Sequence, residues 1–139
     1  MNLKRRSLLI IVTLGIVIIG ASVWYKFIFV PGENALPTAA ELQSWQYQVD
    51  KLTTNLQGAS MIQVQFTLQA QSGAVTSELG SRSAQVDDAI LSVLHALNAS
   101  DIAQPGGERM LKDMVLSRIN RILTTGKISA VYIDNIIVQ

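Results

Sequence analysis

The sequence predicts an α+β fold, a small three- or four-stranded sheet packed by two main helices, behind an N-terminal segment of a different kind. Three observations predict it: residues 62–70 alternate apolar and polar with period two, two later stretches repeat apolar residues at helical spacing, and the first thirty residues are far more apolar than the rest.

Residues 7–25, SLLIIVTLGIVIIGASVWY, carry no charge. As a helix rising 1.5 Å per residue they would extend about 28 Å, near the hydrocarbon thickness of a bilayer. A helix satisfies its own backbone groups there, and Leu8, Leu9, Ile10, Ile11, Val12, Leu14, Ile16, Val17, Ile18, Ile19 and Val23 supply an apolar surface. Trp24 and Tyr25 fall where an interfacial aromatic belt would lie. Lys4, Arg5 and Arg6 precede the run and only Lys26 closely follows it, which places the N-terminus in the cytoplasm and the later residues outside. The expected organisation is a cytoplasmic N-terminus at 1–6, a transmembrane helix at 7–30, a juxtamembrane linker with a short helix at 31–46, and an extracytoplasmic domain at 47–139. A cleaved signal peptide is the rival reading, from the basic start and the small residues Gly20, Ala21 and Ser22. The length of the run and the bulky WYKFIFV that continues it favour an anchor. A buried core helix would need more surrounding chain than is available. Thr13, Gly15, Gly20 and Ser22 do not form a GxxxG contact pattern.

Pro31, Gly32, Asn34 and Pro37 break the helix and make a short connector. Thr38 followed by Glu41 reads as a capping box, so a short helix begins at Ala39. Residues 47–56 suit a strand, and Gly58, Ala59 and Ser60 a turn. In the clearest strand, Ile62, Val64, Phe66, Leu68 and Ala70 alternate with glutamines and Thr67, so one face is buried and the other wet. Residues 74–82 could form a helical piece interrupted near Gly80. Val86, Ala89, Ile90, Val93, Leu94 and Leu97 then mark the inner face of an amphipathic helix. Residues 98–107 read as a polar connection. A second helix begins near Glu108, with Leu111, Met114, Val115, Ile119, Ile122 and Leu123 inward. Glu108 and Lys112 add an i,i+4 pair worth ~0.3–0.5 kcal/mol. Gly126 is expected to end that helix in a left-handed conformation. Residues 129–139, rich in Val, Ile and Tyr, read as a closing strand, apolar on both faces apart from Asp134 and Asn135 and suited to a central position.

Composition excludes several function classes. Four of the eleven basic residues fall in the first thirty, leaving seven against ten acidic side chains beyond them. No basic stripe remains to displace counterions from nucleic acid, so none is expected as a partner. The absence of cysteine removes disulfides, thiolate metal sites and a thiol nucleophile. His95, the single histidine, borders an apolar helix stripe, where packing at the rim is the ordinary role. Asp87 and Asp88 are neighbours on a helix and point about 100° apart, a poor geometry for sharing a proton. Pro105-Gly106-Gly107 matches neither phosphate-binding glycine spacing and reads as a loop-to-helix turn. Met110 and Met114 read as core filler. No catalytic group, cofactor or metal site is expected.

These features occur in a distinctive order: KRR, an apolar span, a short linker, TTNL at Thr53, Thr54, Asn55 and Leu56, then MIQVQFTLQAQ. SRSAQVDDAILSVL, GGERMLKDMVLSRINRIL and GKISAVYIDNIIVQ follow. In that order and spacing the chain resembles the FliL family of flagellar basal body-associated proteins. The resemblance implies a stomatin-like outer domain that associates side by side into rings. It implies a non-enzymatic protein of the bacterial cytoplasmic membrane, partnered with the MotA/MotB stator and basal body, supporting torque generation, motility, chemotaxis and swarming. Contacts with the stator are expected on exposed faces, the linker and residues 39–48 being nearest the membrane. The alternative reading is a tethered or secreted ligand-binding module unrelated to motility; an extracytoplasmic hydrolase would need a nucleophile-base pair that the sequence does not offer.

Overall fold

The computed structural model describes residues 15, 16, 18–21, 24 and 36–139. Two compact units divide at residue 37. In the first, the described residues between 15 and 24, among them Ile16, Ile18, Ile19 and Trp24, are helical, and these four side chains are exposed. Among the described residues no helix is long and apolar enough to cross a membrane. The remaining anchor positions, Leu8, Leu9, Ile10, Ile11, Val12, Leu14, Val17, Val23 and Tyr25, lie outside the described residues, as does the connector at Pro31, Gly32 and Asn34.

The second unit is the α+β body. Helix α1 (Ala39–Ser44) starts at the expected capping box: Thr38 Oγ1 accepts from the Glu41 N–H, and the Glu41 carboxylate accepts from the Thr38 N–H at 2.8 Å. No residue of α1 is buried. Strands β1 (Gln46–Gln48), β2 (Leu52–Asn55), β3 (Met61–Ala70) and β4 (Ile128–Val138) form one antiparallel sheet. Helices α2 (Gly73–Ser81), α3 (Ser83–Leu94), α4 (Ala99–Ala103) and α5 (Gly107–Asn120) fill the interval between β3 and β4.

β3 is the central strand. β1 and β2 pair in turn along one edge of it and β4 along the other. This corrects the expected placement of the closing strand: among the described residues β4 is an edge, because β3 already uses both edges and β4's own far side meets no further strand. The single strand expected at 47–56 is two. From Gln48 to Leu52 the chain is one residue longer than β3 from Thr67 to Val64, so a bulge at 49–51 separates the two pairings. Val49 bridges the gap, buried and donating its N–H to Phe66 O, while Asp50 and Lys51 are turned out. In β4 the register shifts at Asp134, whose carboxylate accepts from Thr67 Oγ1 at 2.8 Å.

The alternation of β3 behaves as its sequence dictates. Ile62, Val64, Phe66 and Leu68 are inaccessible and lie in one core with Val86, Ile90 and Leu94 of α3 and Leu111, Val115 and Ile119 of α5. α3 packs on β2 and α5 on β4, so the two main helices share one face of the sheet. Met114, Ile122 and Leu123 are only half-buried at the margin of this core.

Three further local expectations change. α2 runs through Gly80 without interruption, since Val75 and Leu79 bury its inner side and outweigh one glycine's propensity cost. Residues 98–107 contain α4, which starts at a second capping box: Asn98 Oδ1 accepts from the Asp101 N–H and Asp101 Oδ2 from the Asn98 N–H, both at 2.9 Å. Gly126 does not cap α5, which ends at Asn120 with Arg121 as its C-cap, and it has no positive φ. Its missing Cβ instead makes room for Val75, whose Cγ2 would lie 2.6 Å away.

Candidate partner-binding surfaces

TTNL is a strand ending whose side chains divide between two faces. Thr53 is exposed and pairs with Gln63, while Thr54 faces the helices, its Oγ1 2.7 Å from His95 Nε2. Leu56 is buried and its N–H donates to Ser60 O, closing the turn over the core. The motif is therefore an edge strand, its turn and a plug. His95 is exposed and engaged with a threonine, a rim position of the kind its place in the sequence suggested.

The open sheet face is rich in neutral amides. Gln69 is buried and bridges two elements: its Nε2 donates to Leu42 O at 2.9 Å, fastening α1 to the sheet, and its Oε1 accepts from Gln46 Nε2. Toward the other end, Met61, Tyr132 and Ile137 are exposed apolar side chains.

Across the helical layer, α3 and α5 leave a groove of about 610 Å³. Val93, Met110 and Met114 line it with apolar surface, and Arg109, Arg118 and Arg121 stand around it with Asp113 and Ser117. The methionines, expected as filler, thus do two things at once, packing on the core and lining the groove. Among the described residues the one ion pair joins Arg82 to Glu78, so the three groove guanidiniums have no carboxylate within ion-pair distance.

The flank around the β1–β2 bulge is acidic. Asp87 on α3 is half-buried near Asp50, and burial first, then the Asp50 charge, raises its carboxyl above the ordinary value. Burial, Asp87 and Asp50 together push the Tyr47 phenol up. Asp88 points elsewhere, beside Arg82 and Arg118. The two aspartates thus face different surroundings.

Glu78 is a clasp. Its carboxylate accepts from the side chains and backbone N–H groups of Thr124 and Thr125 and pairs with Arg82 Nε at 3.0 Å. The hydrogen bonds from Thr125, then those from Thr124, hold its carboxyl down at about 2. The residue fastens the loop before β4 onto α2.

Gly106 and Gly107 form a steric turn. Gly106 adopts φ 86°, and a Cβ on Gly107 would lie 2.3 Å from Ile102 O. Among the described residues no group of three or more potential metal-ligating side chains comes together.

Comparison with known proteins gives a consistent result. The family model described as "Flagellar basal body-associated protein FliL" matches residues 46–139, from the start of β1 through β4. The flagellar protein FliL of Bacillus subtilis (strain 168) is 32% identical over 99 residues, which cover 71% of each chain. The flagellar protein FliL of Aquifex aeolicus (strain VF5) is 30% identical over 76 residues, covering 55% of this chain and 47% of that protein.

Proposed function

We propose a scaffold role in motility for this chain, which belongs to the FliL family of flagellar basal body-associated proteins. In this reading it is a single-pass protein of the bacterial cytoplasmic membrane, anchored by the helix at 7–30, with its N-terminus cytoplasmic and a stomatin-like domain at 47–139 outside. Copies associate laterally into a ring and support the MotA/MotB stator in generating torque. The observation that carries the role is the extent of the match, which takes in all four strands and both main helices.

The anchor is supported by the uncharged run at 7–25 and by the exposed, helical Ile16, Ile18, Ile19 and Trp24. A short connector at 31–37 would keep many copies of the domain at one height above the bilayer. Confinement raises the effective concentration of neighbours, so weak lateral contacts add up to a closed assembly. The linker at 31–37 and α1, which follow the anchor in the chain, are the candidate surfaces for a stator contact, and α1 buries no side chain. A version lacking residues 1–30 is expected to fold and to be largely monomeric when dilute; tight oligomers of it at low concentration contradict the assembly mechanism.

The test of the role is deletion and cross-linking. A deletion strain should swim or swarm poorly and recover with the full-length gene, and cross-linking in intact cells should recover stator subunits with this protein. Normal motility under full load, together with no stator subunit in the cross-linked material, would refute it.

A further inference from the structure

The groove and the acidic flank have opposite charge and lie on different sides of one domain. Three arginines and one aspartate surround the groove, none of the arginines paired within ion-pair distance among the described residues. A guanidinium presents several donors in a planar fork suited to a carboxylate, and a methionine floor adapts to the shape of whatever covers it. The acidic flank carries Asp50 and Asp87, with the half-buried Tyr47 ring beside them and Lys51 as the adjacent cation. It lies at the β1–β2 edge, whereas the groove opens between the helices on the side away from the sheet.

We propose that the Asp50–Asp87 flank of one copy docks into the α3–α5 groove of the next, making a head-to-tail contact between copies of this chain. The proposal rests on the lateral association described above and assigns its surfaces. A second copy suits the groove because the complementary charges and an aromatic side chain are present on the same chain, at a different flank. A contact between two unlike surfaces leaves every pair with one free groove and one free acidic flank, so it propagates until it closes. The isolated copy also holds Asp87 half-buried with another carboxylate as neighbour, an arrangement that guanidinium groups would relieve.

The chain contains no cysteine, so introduced thiols would be the only ones. Full-length protein carrying Ser117→Cys at the groove and a differently tagged full-length copy carrying Lys51→Cys beside the acidic flank are co-expressed in the native membrane and oxidised. The mixed disulfide is expected, with little product from either variant alone. Arg118→Glu combined with Arg121→Glu should lower the mixed product roughly tenfold or more, and Asp50→Arg with Asp87→Arg in the other copy should restore it. Restoration separates charge matching from simple misfolding. A lysine-reactive cross-linker supplies the control. If it gives oligomer ladders while the mixed disulfide is absent, or if Ser117→Cys couples mainly to itself, the assigned contact is wrong and lateral association stands. If no reagent gives ladders in the membrane, the lateral association falls and this contact with it.

Discussion

Replacing Gly107 by alanine tests the packing of α4 against α5, because local propensity and tertiary structure predict opposite signs. Gly107 is the first residue of α5 and has no positive φ, so helix propensity alone would have alanine stabilise the domain by up to ~1 kcal/mol. The structure places that Cβ 2.3 Å from Ile102 O, 2.4 Å from Asp101 O and 2.7 Å from Ile102 C. All three are backbone atoms of α4, held by a capping box and by the burial of Ile102, so no side chain can swing aside. α4 would have to retreat by about 1 Å to restore ordinary contact, and overpacking of this kind costs ~1–3 kcal/mol. At this domain size each kcal/mol lowers the melting temperature by roughly 4–8 °C. Thermal unfolding of residues 38–139, followed by circular dichroism, should therefore show Gly107→Ala melting well below the parent. Gly80→Ala is the matched control, inside α2 with only Tyr47 Cε2 at 3.9 Å, and should melt at or slightly above the parent. A Gly107→Ala protein as stable as the parent, beside a normal Gly80→Ala, would refute the close approach of the two helices.

Other perturbations follow from the same geometry. Glu78→Gln should loosen the 121–127 loop, seen as faster amide exchange at Thr124 and Thr125. The Glu78 carboxyl is depressed to about 2, so its contribution is complete above the ordinary carboxylate pKa near 4.5 and is lost as pH falls toward 2; the variant's acid-unfolding curve should be flatter over that window, and an unchanged curve would refute the clasp. The Asp87 carboxyl is raised, so the folded state binds its proton more tightly than the unfolded chain and ionisation destabilises the fold at neutral pH. Asp87→Asn should accordingly raise the melting temperature of residues 38–139 at pH 7, with the gain shrinking as pH falls through the raised pKa; a loss at pH 7 would count against this. Thr38→Ala should weaken α1 by ~1 kcal/mol and accelerate exchange at residues 39–44 without moving the global melting temperature, since α1 buries nothing; a cooperative shift would mean that α1 is part of the core.

Period was legible in the sequence where one element meets one face of the core. The periods of β3 and α3 stand in their own side chains, and Ile62, Val64, Phe66, Ile90 and Leu94 are inaccessible where the pattern points inward. Pairing was not legible, because it depends on residues far away in the chain. The bulge at 49–51 exists only relative to β3, and a run as apolar as β4 suits a sheet centre equally well until β3's other neighbours are known. α4 had a signal that could have found it, since Asn98 and Asp101 are spaced as a capping box like Thr38 and Glu41. A glycine after a helical stripe suggests a cap, whereas at Gly126 the methyl of Val75, on α2, decides. The Thr53–Leu56 motif was visible as a string of residues, but its division between sheet face, His95 and core needed the fold. The arginines of the groove are present in sequence, and nothing in their spacing indicates that they stand around Met110 and Met114 with no ion pair among the described residues.

The position of β3 also bears on how a nascent copy acquires its shape. β1 and β2 are made before β3 and can pair with it at once, but β4 emerges only after α2, α3, α4 and α5 have been synthesised. Until then β3 has an open edge, and closing that long loop carries an entropic cost before any pairing rewards it. A nascent copy would thus pass through a stage with helices formed and half the sheet bare, when sticking to a neighbour competes with maturation. The arrival of β4 ends that vulnerable interval.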